Sequence, residues 1–245
     1  MPPSPSRAPA SPPAPSPHEP RLARVAAIVA DPARSRMLAY LLSGDYASAG
    51  ELARAASVTP ATASGHLAKM LEAQFIACEQ RGRHRYYRLA DADVAHALES
   101  LALVAERGTH EEAWSRPERE RLRQARCCYG HLAGALGVRL FGSLLQREGL
   151  SPSPEGFDVS EAGRAWLAEL GYTPSAPTRK RRYAYRCLDW SERRDHLAGQ
   201  LADELLQHFL ERGWLRRGTG RAVELTPTGV QELLPRLEDS ALTMP

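Results

Sequence analysis

Between residues 31 and 89 the chain marks its own element boundaries. Asp31-Pro32 places a side-chain acceptor at a helix N-cap and proline at the first helical position, and Thr59-Pro60 repeats the device. Between them, Ser48-Ala49-Gly50-Glu51 has the spacing of a capping box. From Phe75 the apolar period shortens to that of a strand: 75–79 and 85–89 flank Gln80-Arg81-Gly82-Arg83-His84, which predicts a β-hairpin with a basic tip. Helical spacing places apolar stripes before, within and after this stretch. A first helix carries Leu22, Val25, Ala26, Ile28 and Val29; a second Met37, Leu38, Leu41 and Leu42, stopping at Gly44. The third buries Leu52 and Ala53 and breaks at Ser57-Val58, and the fourth buries Ala63, Leu67, Met70 and Leu71. A fifth runs from about Ala92 to Glu106 with Val94, Leu98, Leu101 and Ala105 on one face. Short helices running into a basic hairpin predict a winged helix-turn-helix.

In that fold the third helix braces the fourth, whose N-terminal turn is offered to the major groove. Here the turn reads Thr59-Pro60-Ala61-Thr62-Ala63-Ser64-Gly65-His66. Thr59, Thr62, Ser64 and His66 supply hydroxyls and an imidazole for base edges, and Ala61 suits a thymine methyl. Lys69 and the wing residues Arg81, Arg83, His84 and Arg85 are the candidates for phosphate contacts.

Asp31-Pro32-Ala33-Arg34, Glu51-Leu52-Ala53, Ser64-Gly65-His66-Leu67 and Gly82 through Tyr87 together resemble the ArsR/SmtB family of winged-helix repressors, over about residues 21–106. The resemblance implies a homodimer that binds operator DNA and releases it when a metal or another effector binds. It also implies that the first and last helices build the dimer, here through Leu22, Val25, Val94, Leu98 and Leu101. The nearest-looking branch senses cadmium and lead through two cysteines on the recognition helix, but those positions hold Lys69 and Ala73. The arsenic-type thiols are absent from Glu51-Leu52-Ala53-Arg54, and Asp93, His96 and His110 lack the spacing of the zinc-type site.

Past a polar joint at Gly108–Pro117 lies an internal repeat: His131-Leu132-Ala133-Gly134 recurs as His196-Leu197-Ala198-Gly199. Leu136 and Leu140 correspond to Leu201 and Leu205, and Val159-Ser160-Glu161-Ala162-Gly163 to Leu225-Thr226-Pro227-Thr228-Gly229. Each copy reads as helix, turn, extended segment and capped helix, a candidate degenerate winged-helix half. The expected layout is a proline-rich disordered tail at 1–20, a DNA-binding and dimerisation domain at 21–107, and a repeat domain at 118–245 with copies near 126–172 and 185–240. The fold class expected is mainly α with small β-hairpins, α+β overall.

A cysteine precedes each copy. Cys127, Cys128 and His131 share a face if helical; Cys187 precedes His196, with Asp189-Trp190-Ser191 between them as an expected helix start. If the copies pack against each other, Cys128, His131, Cys187 and His196 converge. Three readings stay open: buried small hydrophobes beside satisfied histidines, a soft divalent metal or arsenite site, and a reversible Cys128–Cys187 disulfide. Arg126 and Arg186 sit beside the thiols in sequence and are expected to lower their pKa values, whereas Cys78 is expected to be packed in a strand.

The composition, 43% hydrophobic and 25% charged, is that of an ordinary globular chain, and its net charge of +3 proves no nucleic-acid partner by itself. There is no run of 18 apolar residues, and the proline-broken start lacks a signal-peptide core, so no membrane partner and a cytoplasmic location in a bacterium are expected. Four cysteines make no disulfide scaffold. With no P-loop, dinucleotide fingerprint, nucleophile elbow or metalloprotease helix, an enzyme is not expected. The leading expectation is a repressor released by a metal or metalloid ion, a thiol oxidant or a small molecule; no cofactor is assigned beyond that ion. The alternative is a non-sensing architectural or partner-recruiting DNA binder. Arg179-Lys180-Arg181-Arg182 either extends the DNA footprint or is a solvated linker.

Overall fold

The computed structural model describes residues 22–44, 46–106, 117–178 and 181–237. The proline-rich segment 1–20, the joint expected at Gly108–Pro117 up to residue 116, and Arg179 and Lys180 lie outside the described residues, whereas Pro117 opens a helix.

The first half builds α1 (Leu22–Val29), α2 (Pro32–Leu41), β1 (Ala47–Ser48), α3 (Ala49–Ala56), α4 (Pro60–Glu72), β2 (Ile76–Arg81), β3 (His84–Leu89) and α5 (Ala92–Ala105). The caps form where the sequence places them. Asp31 accepts from the Ala33 and Arg34 amides at 3.0 and 2.9 Å, and Ser48 and Glu51 close a reciprocal capping box. Thr59 accepts from the Thr62 amide at 3.2 Å. β1, β3 and β2 form an antiparallel sheet, the β2–β3 register running from Ile76 opposite Leu89 to Arg81 opposite His84. Met37, Leu38, Leu41, Leu52, Leu67, Met70 and Leu89 are buried in its core. Each is worth about 1.5–3 kcal/mol of burial relative to exposure.

The second half opens with α6 (Pro117–Gln124). The first copy is β4 (Arg126–Cys128), β5 (His131–Ala133), α7 (Ala135–Gln146), β6 (Leu150–Ser153), β7 (Gly156–Val159) and α8 (Glu161–Glu169). The second is β8 (Tyr185–Leu188), β9 (Asp195–Ala198), α9 (Gln200–Glu211), β10 (Leu215–Arg217), β11 (Val223–Leu225), α10 (Pro227–Glu232) and α11 (Leu234–Leu237). Each copy is therefore hairpin, helix, hairpin, capped helix, and the helical setting expected for Cys127, Cys128 and His131 is corrected to a hairpin. The cause is local. Tyr129 and Gly130 have φ of 49° and 103°, a two-residue turn that folds the chain back on itself. Likewise the helix start expected at Asp189 is the turn between β8 and β9, where the Asp189 amide donates to the Arg194 carbonyl.

Gly134 and Gly199 explain the last letter of the repeated tetrapeptide. At φ of 81° and 99°, each leads into the helix of its copy, and a Cβ would lie 2.6 Å from the carbonyl oxygen of Arg123 or Tyr183. α7 packs across β9 and α9 across β5, so each copy's long helix covers the other's hairpin. Leu136, Leu140, Phe141, Leu144, Trp166, Leu201, Leu205, Phe209 and Trp214 fill one shared core.

The two halves meet along a polar seam. The Tyr129 amide donates to Leu42 O at 2.7 Å, and Cys127 Sγ lies 2.9 Å from Ser43 O. Gly44 comes so close that a Cβ there would sit 2.6 Å from the Gly130 nitrogen. On the other side of the seam, the His96 ring of α5 meets Tyr185 of β8 edge-on at 5.3 Å. No helix among the described residues is long and apolar enough to cross a membrane.

Candidate DNA interface and a buried thiol–imidazole cluster

The first turn of α4 is exposed at Thr59, Ala61, Thr62 and Ser64, while Ala63 and Leu67 anchor it to the core. The Ser64 hydroxyl donates to the Pro60 carbonyl at 3.0 Å, which leaves its lone pairs as acceptors facing outward. Thr59 and Thr62 share a hydroxyl contact at 2.9 Å. His66 is half-buried, its Nδ1 lying 3.4 Å from an Arg34 guanidinium nitrogen and 3.8 Å from Asp31, so that edge faces α2 rather than solvent. Lys69 is exposed in the last turn of α4. In the wing, Arg83, His84 and Arg85 are exposed. Arg81 is also exposed, but it pairs with Glu79 at 3.0 Å and lies over the Tyr46 ring at 4.3 Å.

Several apolar residues of α1 and α5 lack cover. Leu22, Val25, Leu101 and Val104 are 68%, 45%, 49% and 52% exposed, whereas Val94 and Leu98 are half-buried against the core.

The cysteines and histidines of the repeat do come together, through strand pairing. Cys128 is directly opposite His131 across β4–β5, and Cys187 is directly opposite His196 across β8–β9. Residues in such pairs share a face of their hairpin, and the two faces meet. One donor atom from each of the four residues lies within 4.8 Å of the other three, and all four side chains are buried. The two imidazole Nε2 atoms are 3.2 Å apart. Cys127, one residue along the strand, points the other way, toward Ser43, and leaves the group. Cys78, expected to be packed, is exposed on β2.

Each histidine turns its far nitrogen to a carboxylate. His196 Nδ1 lies 3.1 Å from Asp189 Oδ2, and His131 Nδ1 lies 3.8 Å from Asp203 Oδ1. Asp189 is itself held by Arg126 at 3.0 Å and by the Gly134 amide at 2.7 Å. Arg126, fully buried, reaches on to Glu99 of α5 at 3.3 Å, and Glu99 also pairs with Arg221. A continuous chain of charge thus runs from His196 through Asp189 and Arg126 to α5.

Burial holds the His131 imidazole down at about 4. Burial also opposes charge on His196, but Asp189 and Cys187 outweigh it and push its pKa up to about 9. A hydrogen bond from Cys128, with support from His131, His196 and His96, carries Cys187 far below the usual thiol range, while the same bond and burial push Cys128 up. Of the sequence neighbours expected to do this, Arg126 does pull the Cys128 thiol down, but Cys187 and burial outweigh it. Arg186 points away from the group, pairs with Asp195 at 3.3 Å and stacks on Phe141 and Phe157. Arg126 spends its charge on two carboxylates. The arrangement is suited chemically either to hold a soft cation or to join Cys128 to Cys187.

Arg181 and Arg182 of the basic run serve the fold. Arg181 pairs with Asp203 at 2.5 Å and donates to Tyr129 O, and Arg182 donates to Glu155 O and lies 4.0 Å from the Tyr185 ring centre. His96 and Glu99 of α5, Arg126 of β4 and Asp203 of α9 come from three separate elements, so no local motif joins them. The sequence singles out His96 and Arg126 for other roles, and nothing in it marks Glu99 or Asp203.

A family of helix-turn-helix domains matches residues 29–79. The chain is similar to YdfF, an uncharacterized HTH-type transcriptional regulator of Bacillus subtilis (strain 168), at 41% identity over 212 residues, 86% of this chain and 94% of that one. It is similar to the HTH-type transcriptional regulator CmtR of Mycobacterium bovis at 36% identity over 86 residues, 35% of this chain and 72% of that one. Among solved structures, the homodimeric winged helix-turn-helix DNA-binding domain of Mb0332 from M. bovis, a possible ArsR-family regulator, is 28% identical. It covers 36% of this chain and 85% of its own, with a TM-score of 0.33.

Proposed function

Because this chain belongs to the HTH-type transcriptional regulators with an ArsR-like winged helix, we propose that it is a homodimeric repressor that reads an inverted-repeat operator and releases it on binding an effector. The observation that carries the reading is the exposed, hydroxyl-rich first turn of α4 beside a wing with three exposed cationic or imidazole side chains at its tip. The exposed apolar residues of α1 and α5 support a second copy as the dimer partner: monomers seldom leave such stripes bare without a use for them. The second half then serves as the receiving part, since its first hairpin rests on the end of α2 and its second on α5. Acting on chromosomal DNA, the protein works in the cytoplasm.

Helix and wing divide the labour, and the division is measurable. Thr62→Ala or Ser64→Ala is expected to cut the ratio of operator to random-DNA affinity by about 1–3 kcal/mol per lost base contact. Arg83→Ala or Arg85→Ala is expected to weaken both DNAs alike and flatten the log–log salt slope by about one unit per lost phosphate contact. Fluorescence anisotropy across a salt series reads both quantities. Equal loss of discrimination from the two classes of variant contradicts the assignment.

A further inference from the structure

We propose that Cys128, His131, Cys187 and His196 form a site for one thiophilic divalent cation of the zinc–cadmium class, and that its occupancy is relayed to α5 to weaken operator binding. The second clause rests on the operator reading above; the first stands without it.

Three features select this ligand class. The donor set is two sulfurs and two imidazole nitrogens, with no oxygen among the converging atoms, which disfavours magnesium or calcium. The spacing fits. With zinc–nitrogen bonds of about 2.0–2.1 Å, tetrahedral angles put two nitrogens about 3.3 Å apart, and the Nε2 atoms stand at 3.2 Å. The charge also fits, because two thiolates neutralise a divalent ion in a place where an uncompensated charge is costly. Arsenite is favoured by a third thiolate, and Cys127 faces Ser43 instead.

The surroundings support the same conclusion. Metal-bound histidines generally turn their second nitrogen to a carboxylate or carbonyl, which fixes the ring and strengthens it as a donor. Asp189 and Asp203 lie beside that nitrogen of His196 and His131, at 3.1 and 3.8 Å, and neither Nδ1 atom makes a hydrogen bond among the described residues. Two buried imidazoles meeting Nε2 to Nε2 are awkward without a bridging proton or cation, and a cation satisfies both at once.

The relay follows from the contacts. The ligands come two from each copy, so a bound ion clamps β4–β5 to β8–β9. Behind His196, Asp189 and Arg126 lead to Glu99, and beside Cys187 the His96 ring touches Tyr185; both Glu99 and His96 belong to α5. Since α5 also carries exposed Leu101 and Val104, a shift there reaches the face assigned to the second copy.

The test uses the full chain, reduced and treated with chelator, titrated with Co(II) as a spectroscopic probe and then with Zn(II) or Cd(II). One cobalt per chain is expected, with the intense visible bands of a tetrahedral ion and thiolate charge transfer. Cys187→Ser should remove half of the charge-transfer intensity, His131→Gln should keep it and shift the visible bands, and Cys127→Ser should change neither. Should a ligand variant fail to fold, the parent and Cys127→Ser spectra decide. No cobalt uptake, a weak octahedral spectrum, a parent spectrum matched by Cys187→Ser, or one lost in Cys127→Ser overturns the site. So does mass spectrometry showing that Cys128 and Cys187 are already joined after reduction and handling under argon. Operator affinity, measured separately, should fall by about 10–100-fold on Cd(II) or Zn(II) loading. Unchanged affinity overturns the relay alone. Metal-free protein that ignores the operator overturns the regulator reading and leaves the cobalt result standing.

Discussion

Arg126→Leu is expected to destabilise the protein by about 3–5 kcal/mol, read from the shift of the urea midpoint at constant slope. Arg126 has no exposed surface, and its guanidinium lies 3.3 Å from Glu99 and 3.0 Å from Asp189. Leucine recovers some packing but takes one cationic partner from each of two carboxylates in a dry interior. Burial alone would push both carboxyls up, yet cationic neighbours, and for Asp189 also His196, hold them below their usual range. Each thus gives stability that is present above its unfolded pKa and lost as pH falls through the folded value. Without Arg126 part of that stability is missing at neutral pH. Glu99 keeps Arg221 and Asp189 keeps His196, so the loss should be large without abolishing the fold. Arg126→Lys restores charge but not the fork that serves both carboxylates, and should fall between. A midpoint within experimental error of the parent contradicts the reading.

Leu22→Glu combined with Leu101→Glu should produce a folded monomer whose operator affinity is lower by about 10²–10⁴-fold. Both side chains are largely exposed in the single chain, at 68% and 49%. Substitution there should cost a lone chain little, within about 0.5 kcal/mol. Across a two-fold interface each charge is buried against apolar surface. Loss of the dimer removes the second half-site contact and with it the gain from tethering. Sedimentation and anisotropy separate the steps. A variant that stays dimeric moves the interface elsewhere; a monomer with parental affinity shows that one copy suffices.

The winged module was legible because its signals are local. Asp31-Pro32, Ser48 with Glu51, and Thr59-Pro60 each fix a helix start through contacts within three residues, and the period change at Phe75 fixes the hairpin. The repeat was legible as a duplication, but the setting of its cysteines was not. Cys127, Cys128 and His131 have spacings compatible with a helix, and only the left-handed Tyr129-Gly130 turn separates the alternatives. Tyr129 is a poor sequence signal for that turn, since such turns favour Asn or Asp before Gly. The convergence of Cys128, His131, Cys187 and His196 was conceivable from pseudo-symmetry; the exclusion of Cys127 required strand alternation. Asp203 and Glu99 were out of reach, because each meets its partner across more than 25 residues of chain or from another element altogether. Arg186 failed as a thiol activator for the same reason as Cys127: neighbours along a strand point to opposite faces.

The most direct measurement is a footprint of full-length, metal-free protein on DNA selected from a genomic library. Two-fold-related protected half-sites about one helical turn apart, ~10 bp between centres, are expected with a dimer bound. A single unpaired half-site occupied by monomer, or protection with no sequence preference at physiological salt, contradicts an operator-reading dimer.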